Sequence, residues 1–324
     1  MSLLEVRRLC VDVATRAGQL RLVDDFELSL EPGDRVALVG ESGSGKTVTA
    51  RALMRLDPHF ALSGSVRLGG TELLALKERE MVRVRGSRIG MVFQDPMDAL
   101  NPLQTIGEQV SEPLRIRGVP RKEALDRARM MLDELGVVRA GERMQAYPHE
   151  FSGGMRQRVV LAMALIAEPD VLIADEPTTA LDVRVQKQVL DLLEEVAERR
   201  RKLSVLLITH DLAVVAGFAQ RVVVMYAGRK VEECSTMQLF EHPSHPYTAA
   251  LLRALPRIDR PVDRLEPIAG FPPSPATRPA GCAFHPRCRL AIELCARERP
   301  ILRPCSESGE VACHLAQPVV QAVG

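Results

Sequence analysis

The sequence has 324 residues, enough for one large domain or two ordinary domains with well-buried cores. Its 43 Lys and Arg residues nearly balance its 42 Asp and Glu residues, and the net charge of +1 gives no electrostatic indication of a nucleic-acid partner. Because the chain has no Trp and only 3% aromatic residues, stacking on single-stranded nucleic acid is not expected either.

The opening residues, MSLLEVRRLC, lack the apolar run of a secretory signal. No apolar segment approaches the roughly 18 residues that are needed to cross a bilayer. We therefore expect a cytosolic protein with reduced thiols, for which any membrane role depends on partner chains.

Short apolar runs alternate with longer amphipathic stretches over the first 240 residues. Five runs have the length and β-branched content of buried strands: 35–40, 88–93, 171–175, 204–209 and 221–226. The amphipathic stretches at 121–135 and 183–201 predict helices. Strands that alternate with helices predict an α/β fold with a largely parallel central sheet.

Two regions depart from this alternation. Residues 97–150 contain no comparable strand run and predict a helical insertion. Beyond Glu241 the sequence becomes rich in proline, as in HPSHPY and GFPPSPATRPAG. Proline at this density predicts an irregular region with little strand structure, so we place a boundary near Glu241.

The segment ALVGESGSGKT follows a predicted strand, begins a predicted helix and fits the pattern G-x-x-x-x-G-K-[ST]. In this pattern glycines let backbone N–H groups converge on phosphate oxygens, and the helix N-terminus adds partial positive charge. Lys46 would reach the β- and γ-phosphates, and the Thr47 hydroxyl would bind Mg²⁺. The alternative, a glycine turn that binds nothing, does not account for the complete pattern after a strand. The predicted nucleotide-binding residues are Gly40, Glu41, Ser42, Gly43, Ser44, Gly45, Lys46 and Thr47.

A second acidic element supports this interpretation. The apolar run VLIAD ends in Asp175, which is followed by Glu176. Asp175 can hold Mg²⁺ directly or through water, and Glu176 is then placed to polarise the water that attacks the γ-phosphate. An ordinary Asp-Glu turn after a strand is the alternative, which the phosphate loop upstream disfavours.

The segment FSGGMRQR at 151–158 lies shortly before VLIADEPTTALD. The motif order GESGSGKT, VFQDP, FSGGMRQR, IADEP, ALD and ITHD resembles the ATP-binding subunits of ABC transporters over residues 1–240. Kinases and GTPases, the other phosphate-loop classes considered, do not explain the serine-glycine-glycine element. The resemblance implies an α/β phosphate-loop ABC ATPase with three parts: a RecA-like nucleotide-binding core at 1–95 and 160–240, a helical signature subdomain at 96–159, and a small, irregular, cysteine-rich C-terminal extension at 241–324.

The resemblance implies a nucleotide site that two subunits share. Ser152, Gly153 and Gly154 match the family signature, whose serine and amides cap the γ-phosphate of a nucleotide held by the opposite subunit. Gln157 belongs to the same nucleotide-contacting element, and Asp182 resembles the residue that communicates across the dimer. ATP would then join two subunits, and hydrolysis would release them.

The remaining roles also come from the resemblance. Gln94 resembles the glutamine that contacts Mg²⁺ and the lytic water and connects the site to the membrane partner, so Thr47, Gln94 and Asp175 are the expected Mg²⁺ residues. Glu176 and His210 resemble the catalytic glutamate and the histidine that contacts the γ-phosphate. The family usually has an aromatic residue that stacks on adenine, but here Val13 stands in that position, and the residue that contacts the base remains open.

The C-terminal region carries a narrower resemblance. HPSHPYTAALLRALP followed by GCAFHPRC is similar to the oligopeptide, dipeptide and nickel importer branch, in which some members carry an iron–sulfur cluster. The matching residues are Cys282, Cys288, Cys295 and Cys313, a four-thiolate set suited to [4Fe–4S]. Zn²⁺ is the less favoured alternative because its sites usually use closely spaced cysteine pairs. Cysteines that bind nothing are a further alternative, and disulfides do not suit a cytosolic protein.

The two resemblances together imply an ATP-hydrolysing translocase subunit on the cytoplasmic face of the cell membrane. Its expected partners are a second, non-identical ABC ATPase, two membrane permeases and an extracytoplasmic substrate-binding protein. A soluble ABC-type ATPase without a transport role and a sensor that uses the cysteine-rich region are the alternatives. Peptide, nickel chelate and other small solutes all remain open as the substrate.

Overall fold

The computed structural model describes residues 2–16, 18–95, 99–178, 182–254, 267–306 and 309–316. The chain divides into two compact units. The first comprises residues 1–3, 30–34 and 75–207, and the second comprises 4–29, 35–74 and 208–324.

The described residues form strands at these positions: β1 Leu4–Thr15, β2 Gly18–Leu30, β3 Arg35–Val39, β4 Phe60–Leu68, β5 Thr71–Glu72, β6 Ile89–Val92, β7 Val171–Asp175, β8 Ser204–Thr209, β9 Arg221–Tyr226, β10 Arg229–Ser235, β11 Arg303–Ser306 and β12 Gly309–Val311. They form α-helices at these positions: α1 Lys46–Leu53, α2 Glu78–Val84, α3 Ile106–Arg115, α4 Arg121–Glu134, α5 Ala140–Arg143, α6 Gly153–Leu165, α7 Val183–Arg199, α8 Leu212–Phe218, α9 Thr236–Glu241, α10 Pro246–Arg253 and α11 Glu293–Arg297. All five predicted strands and both predicted helices are confirmed, with ends that differ by at most two residues.

The first unit is built on parallel strands covered by helices. Strand β6 pairs in parallel with β7, with Ile89 opposite Val171, and β8 follows β7 in the strand order. All four residues of β6 and all five of β7 are buried, as expected for strands with both faces covered. The described part of the predicted insertion contains helices α3 to α5 and no strand, which agrees with the sequence pattern.

The second unit contains a four-stranded sheet in the order β2-β1-β4-β5 and a run of strands in the order β11-β12-β10-β9-β3. Strands β9 and β10 form a hairpin whose two turn residues, Ala227 and Gly228, both have positive φ. Two positive φ values in a two-residue loop match the twist of the flanking strands. Strand β3 then pairs in parallel with β9.

The region beyond Glu241, which was predicted to have little strand structure, contains two short strands in its described part. Strands β11 and β12 pair with each other, and β12 pairs with β10, with Glu232 opposite Val311. These strands have four and three residues and contain Pro304, Cys305 and Gly309, so they lack the apolar run by which strands are predicted. Within the described residues, no helix is long and apolar enough to cross a bilayer.

A buried polar group fixes the chain where α10 begins. The Glu232 carboxylate is fully buried and accepts hydrogen bonds from the N–H groups of Ser244 and His245 at 2.7 and 3.0 Å. His245 precedes α10 and caps it, because its Nδ1 accepts a hydrogen bond from the N–H of Tyr247 at 3.0 Å. Burial lowers the pKa of His245 to about 4.

We predict that His245 makes stability depend on pH. Its folded pKa of about 4 lies below the ordinary value of 6.5, so the unfolded chain binds the proton first as the pH falls. Neutral His245 therefore makes its full contribution to the free energy of unfolding above pH 6.5. That contribution is lost as the pH falls towards the folded pKa, by about 1.4 kcal/mol per pH unit. His245→Asn keeps a capping acceptor but cannot titrate. Thermal unfolding should show the wild type losing stability relative to this variant between about pH 7 and about pH 5, and a constant difference would contradict the prediction.

Candidate functional site

The phosphate loop lies in the second unit, between β3 and α1. Gly40, Gly43 and Gly45 have φ values of 154°, 77° and 104°. A Cβ at Gly40 would lie 2.2 Å from the Met225 carbonyl oxygen, so no other residue fits there. The loop is therefore a tight turn of the kind that directs N–H groups towards phosphate.

The lysine and hydroxyl groups of the loop lie along this turn. Lys46 is the first residue of α1, is 4% exposed, and donates from Nζ to the carbonyl oxygens of Gly40 and Glu41 at 2.8 and 3.1 Å. Thr47 follows on an exposed position of α1. The Ser44 hydroxyl is buried and has no hydrogen-bond partner among the described residues, so it retains donor and acceptor capacity. Ser42 is exposed.

His210 also belongs to the second unit and follows β8 directly. It is exposed, and the residues on either side fix the turn. The Thr209 hydroxyl accepts a hydrogen bond from the Asp211 N–H at 2.9 Å, and the Asp211 carboxylate caps α8 by accepting from the Ala213 N–H at 2.8 Å. The turn thus presents the His210 ring on the surface at the end of a buried strand.

The carboxylates follow β7 in the first unit. Asp175 ends the strand and is 2% exposed. Glu176 has a φ of 47°, a left-handed conformation that is costly for a residue with a side chain and is often found at functional sites. Gln94 follows β6, and its Nε2 donates to Glu176 Oε2 at 3.1 Å. The structure therefore brings together two of the three residues predicted to be catalytic.

The predicted signature begins α6, also in the first unit. Ser152 is the N-cap residue, and its Oγ accepts a hydrogen bond from the Met155 N–H at 3.4 Å. Gly153 and Gly154 occupy the first turn, where backbone N–H groups lack intrahelical acceptors. Gln157, one turn further, is 1% exposed, and its Nε2 has no hydrogen-bond partner among the described residues. This helix end can accept an anion.

The signature helix packs against the start of α7. Asp182 caps α7, because its carboxylate accepts hydrogen bonds from the N–H groups of Arg184 and Val185 at 3.1 and 3.0 Å. A Cβ built on Gly154 would lie 2.6 Å from Cγ1 of Val185. The two caps, Ser152 and Asp182, thus begin helices that approach each other closely at a glycine.

The four predicted cluster ligands lie in the C-terminal region of the second unit. The N–H of Cys282 donates to the carbonyl oxygen of Cys295 at 2.8 Å. Burial raises the pKa of Cys282 and Cys288, and the nearby Cys295 and Cys313 raise it further. All seven cysteines are free thiols in the structure. Within the described residues, however, no group of three or more His, Cys, Asp or Glu side chains is arranged to hold a metal ion, so the geometry does not support the predicted metal site.

Two residues of the C-terminal region that the sequence analysis did not single out contact the phosphate loop. Tyr247 and Arg287 both form hydrogen bonds with Glu41. They lie in HPSHPY and GCAFHPRC, the two segments that carried the narrower resemblance. Nothing in either segment indicated that these side chains return to a loop about 200 residues away.

Known proteins match this chain over most of its length. The family model for the ABC transporter matches residues 23–179, and the model for the oligopeptide/dipeptide transporter C-terminal region matches 231–295. A Brucella melitensis protein described as a putative peptide import ATP-binding protein is 49% identical over 308 residues, which cover 90% of this chain and 91% of that protein. The chain belongs to the ABC transporter ATPase family. A Brucella ovis protein of the same description is 47% identical over 326 residues and 96% of both chains.

Solved structures of ABC ATPases have the same fold. The dimeric ATP-binding cassette MJ0796 in a post-hydrolysis state with ADP and phosphate is 27% identical, with a TM-score of 0.64 over 72% of this chain and 98% of that one. The cbiO1 protein of Clostridium perfringens, part of the cbiONQ ABC transporter complex, is 25% identical and also has a TM-score of 0.64. This agreement confirms the predicted α/β ABC ATPase fold and the prediction of an ATPase.

The contact between α6 and α7 generates a prediction about Gly154. Alanine there gains up to about 1 kcal/mol in helix propensity, whereas overpacking costs about 1–3 kcal/mol, so we expect Gly154→Ala to lower the free energy of unfolding by about 1 kcal/mol. Urea unfolding measures this difference. Gly154→Ala with Val185→Ala should be more stable than the sum of the two single substitutions predicts. Additive effects, or a Gly154→Ala protein as stable as the wild type, would show that the close approach is unimportant.

Proposed function

We propose that this chain is the ATP-hydrolysing subunit of an importer of peptides or a related small solute. The observation that carries the proposal is the hydrogen bond between Gln94 and Glu176. Glu176 is the residue that directly follows the strand ending in Asp175. An ABC ATPase needs a carboxylate beside the attacking water, and this contact orients one. The match of residues 231–295 to the oligopeptide/dipeptide model, and the names of the Brucella relatives, support peptides as the substrate class.

Nucleotide binding is proposed to use the phosphate loop. Lys46 would exchange its present carbonyl acceptors for the β- and γ-phosphates, and the loop N–H groups would bind the remaining oxygens. Thr47, Asp175 and Gln94 are the proposed Mg²⁺ residues. The bound Mg²⁺ would neutralise charge that develops on the phosphates.

Hydrolysis is proposed to require two subunits. The exposed Ser152 and the N–H groups of Gly153 and Gly154 would cap the γ-phosphate of a nucleotide on the partner, with Gln157 behind them and Asp182 at the dimer contact. Glu176 would then polarise the water, and His210 would contact the γ-phosphate. ATP would bind the closed dimer more tightly than it binds the separate subunits. Binding would therefore favour the closed state, and hydrolysis would return the subunits to the open state.

This mechanism acts on a substrate only through membrane partners. We propose that its partners are two permeases, an extracytoplasmic binding protein and a second ATPase that is not identical to this chain. With these partners the protein would work at the cytoplasmic face of the membrane. The proposed subdomain division also remains that of the sequence: a core at 1–95 and 160–240, a signature subdomain at 96–159 and an extension from 241.

The experiment is a pull-down of the tagged Glu176→Gln protein from detergent-solubilised membranes with Mg–ATP. The substitution removes the carboxylate, so hydrolysis should fall by at least about 100-fold while ATP still binds. We expect two permeases and an ATPase to co-purify and to be identified by mass spectrometry. The control is the double variant Glu176→Gln, Lys46→Ala. Because it lacks the lysine proposed to bind the phosphates, it should not co-purify with the second ATPase when Mg–ATP is added. Recovery of the chain without membrane subunits, or undiminished hydrolysis by Glu176→Gln, would refute the proposal.

We propose separately that Cys282, Cys288, Cys295 and Cys313 hold a [4Fe–4S] cluster. The family resemblance at these four cysteines supports this proposal. A cluster distributes four thiolates over several irons, so they need not converge on one point as Zn²⁺ ligands must. Zn²⁺ is the less favoured alternative, because its sites usually use closely spaced cysteine pairs.

Anaerobic purification followed by metal analysis tests the cluster. We expect about four irons per chain with visible cluster absorption, and loss of both in Cys288→Ser. Cys305→Ser, which alters a cysteine outside the proposed set, is the matched control. Iron at or below one atom per ten chains, or zinc in its place, would remove the cluster from the proposal and leave the ATPase function unaffected.

A further inference from the structure

The C-terminal region contacts the phosphate loop through an ion pair at Glu41. Arg287 donates from Nη1 to Glu41 Oε2 at 2.6 Å and from Nη2 to Glu41 Oε1 at 3.0 Å. The Arg287 side chain is 5% exposed and that of Glu41 is 25% exposed. A bidentate pair of this kind fixes the direction of the carboxylate as well as its distance, and partial burial limits screening by salt.

A second contact restrains the backbone of the same residue. The Tyr247 hydroxyl oxygen accepts a hydrogen bond from the Glu41 N–H at 2.8 Å. Tyr247 is fully buried, and burial raises the pKa of its phenol, so the group stays neutral. Both the side chain and the N–H of Glu41 are therefore held by residues that follow it by more than 200 positions.

Aromatic packing holds both partners in place. The ring of Tyr247 lies 4.6 Å from that of Tyr226 and 5.3 Å from that of Phe284. Arg287 donates from Nη1 to the Tyr226 hydroxyl at 3.2 Å, and its guanidinium lies 5.8 Å from the Tyr226 ring centroid and 6.0 Å from that of Phe284. Its Nε also donates to the Ala269 carbonyl oxygen at 2.9 Å. These contacts orient the guanidinium independently of its pair with Glu41.

Glu41 is a sensitive place for such a restraint. It follows Gly40, and its carbonyl oxygen accepts a hydrogen bond from Lys46 Nζ at 3.1 Å. Further along, a Cβ at Gly43 would have no atom within 4 Å, so open space surrounds that residue. A glycine-rich turn has a large conformational entropy, and any part that is already fixed costs less to order when the ligand binds.

We propose that Tyr247 and Arg287 are positioning residues that hold the phosphate loop, through Glu41, in the conformation that accepts the triphosphate. This inference rests on the proposed function, because it assumes that the loop binds Mg–ATP. It also gives the segment between Cys282 and Cys288 a role in the nucleotide site, since Phe284 and Arg287 both belong to it. The segment orients the arginine, and the arginine orients the loop.

The test is calorimetric titration of the full-length chain and its variants with Mg–ATP. We expect Arg287→Gln and Glu41→Gln each to raise the Kd about fivefold to tenfold, since each breaks a charge-assisted pair. The double variant should bind no more weakly than the weaker single variant, because both changes break the same pair. Arg287→Lys should recover part of the affinity through its charge, and Tyr247→Phe should raise the Kd about threefold.

Arg297→Gln is the matched control. Arg297 is also in the C-terminal region and pairs with Glu293, but both side chains are more than 70% exposed. We expect its Kd to stay within about twofold of the wild type, as for a surface ion pair. Thermal unfolding without nucleotide shows whether each variant is folded. If Arg287→Gln does not fold, Arg287→Lys and Tyr247→Phe still carry the test.

The outcomes separate this inference from the proposed function. If the wild type does not bind Mg–ATP, both fail. If the wild type binds while the folded Arg287, Glu41 and Tyr247 variants bind as tightly or more tightly, only the inference is overturned. Equal losses in Arg287→Gln and Arg297→Gln would also overturn it, because they would reflect general destabilisation of the region.

Discussion

The turn from β3 into α1 is the constraint on which the proposed chemistry depends. Gly40 has no room for a side chain because the Met225 carbonyl oxygen lies where its Cβ would be, and Lys46 closes the turn by donating to the carbonyl oxygens of Gly40 and Glu41. A turn this tight leaves backbone N–H groups without helical acceptors, and these are the groups proposed to bind phosphate. The buried β3 and β9, paired in parallel, hold the backbone on both sides of this close approach.

The C-terminal region stabilises the same turn through a series of buried polar contacts. The buried Glu232 on β10 fixes the backbone at His245, His245 caps α10, and the Tyr247 hydroxyl accepts the Glu41 N–H. Buried polar groups are costly unless they are paired, and each of these contacts gives such a group a hydrogen-bond partner. The region that was predicted to be an irregular extension therefore contributes two strands to the second unit and two contacts to its phosphate loop.

In the first unit, contacts between nearby residues fix both the Glu176 carboxylate and the start of the predicted signature helix. Glu176 has a left-handed backbone conformation and accepts a hydrogen bond from Gln94, whereas Ser152 and Asp182 each cap the helix that follows. A strained residue persists only where its surroundings hold it, and here the buried β7 precedes it directly. The first N–H groups of α6 have no intrahelical acceptor, which suits their proposed role of capping a phosphate on another subunit.

The sequence by itself determined the elements whose signals are local. Continuous apolar runs predicted β3, β6, β7, β8 and β9, and glycine spacing predicted the phosphate loop, because periodicity and turn chemistry depend on neighbouring residues. Among the strands that it did not reveal are β1, β4, β11 and β12: β1 is interrupted by a bulge between Arg7 and Cys10, β4 by Gly64, and β11 and β12 are too short for a pattern. Only the tertiary structure showed that Tyr247 and Arg287 contact Glu41. Contacts between residues about 200 positions apart depend on tertiary packing, which produces no periodic pattern in the sequence. The sequence determined which residues could bind a nucleotide, and the fold decided which distant side chains hold them.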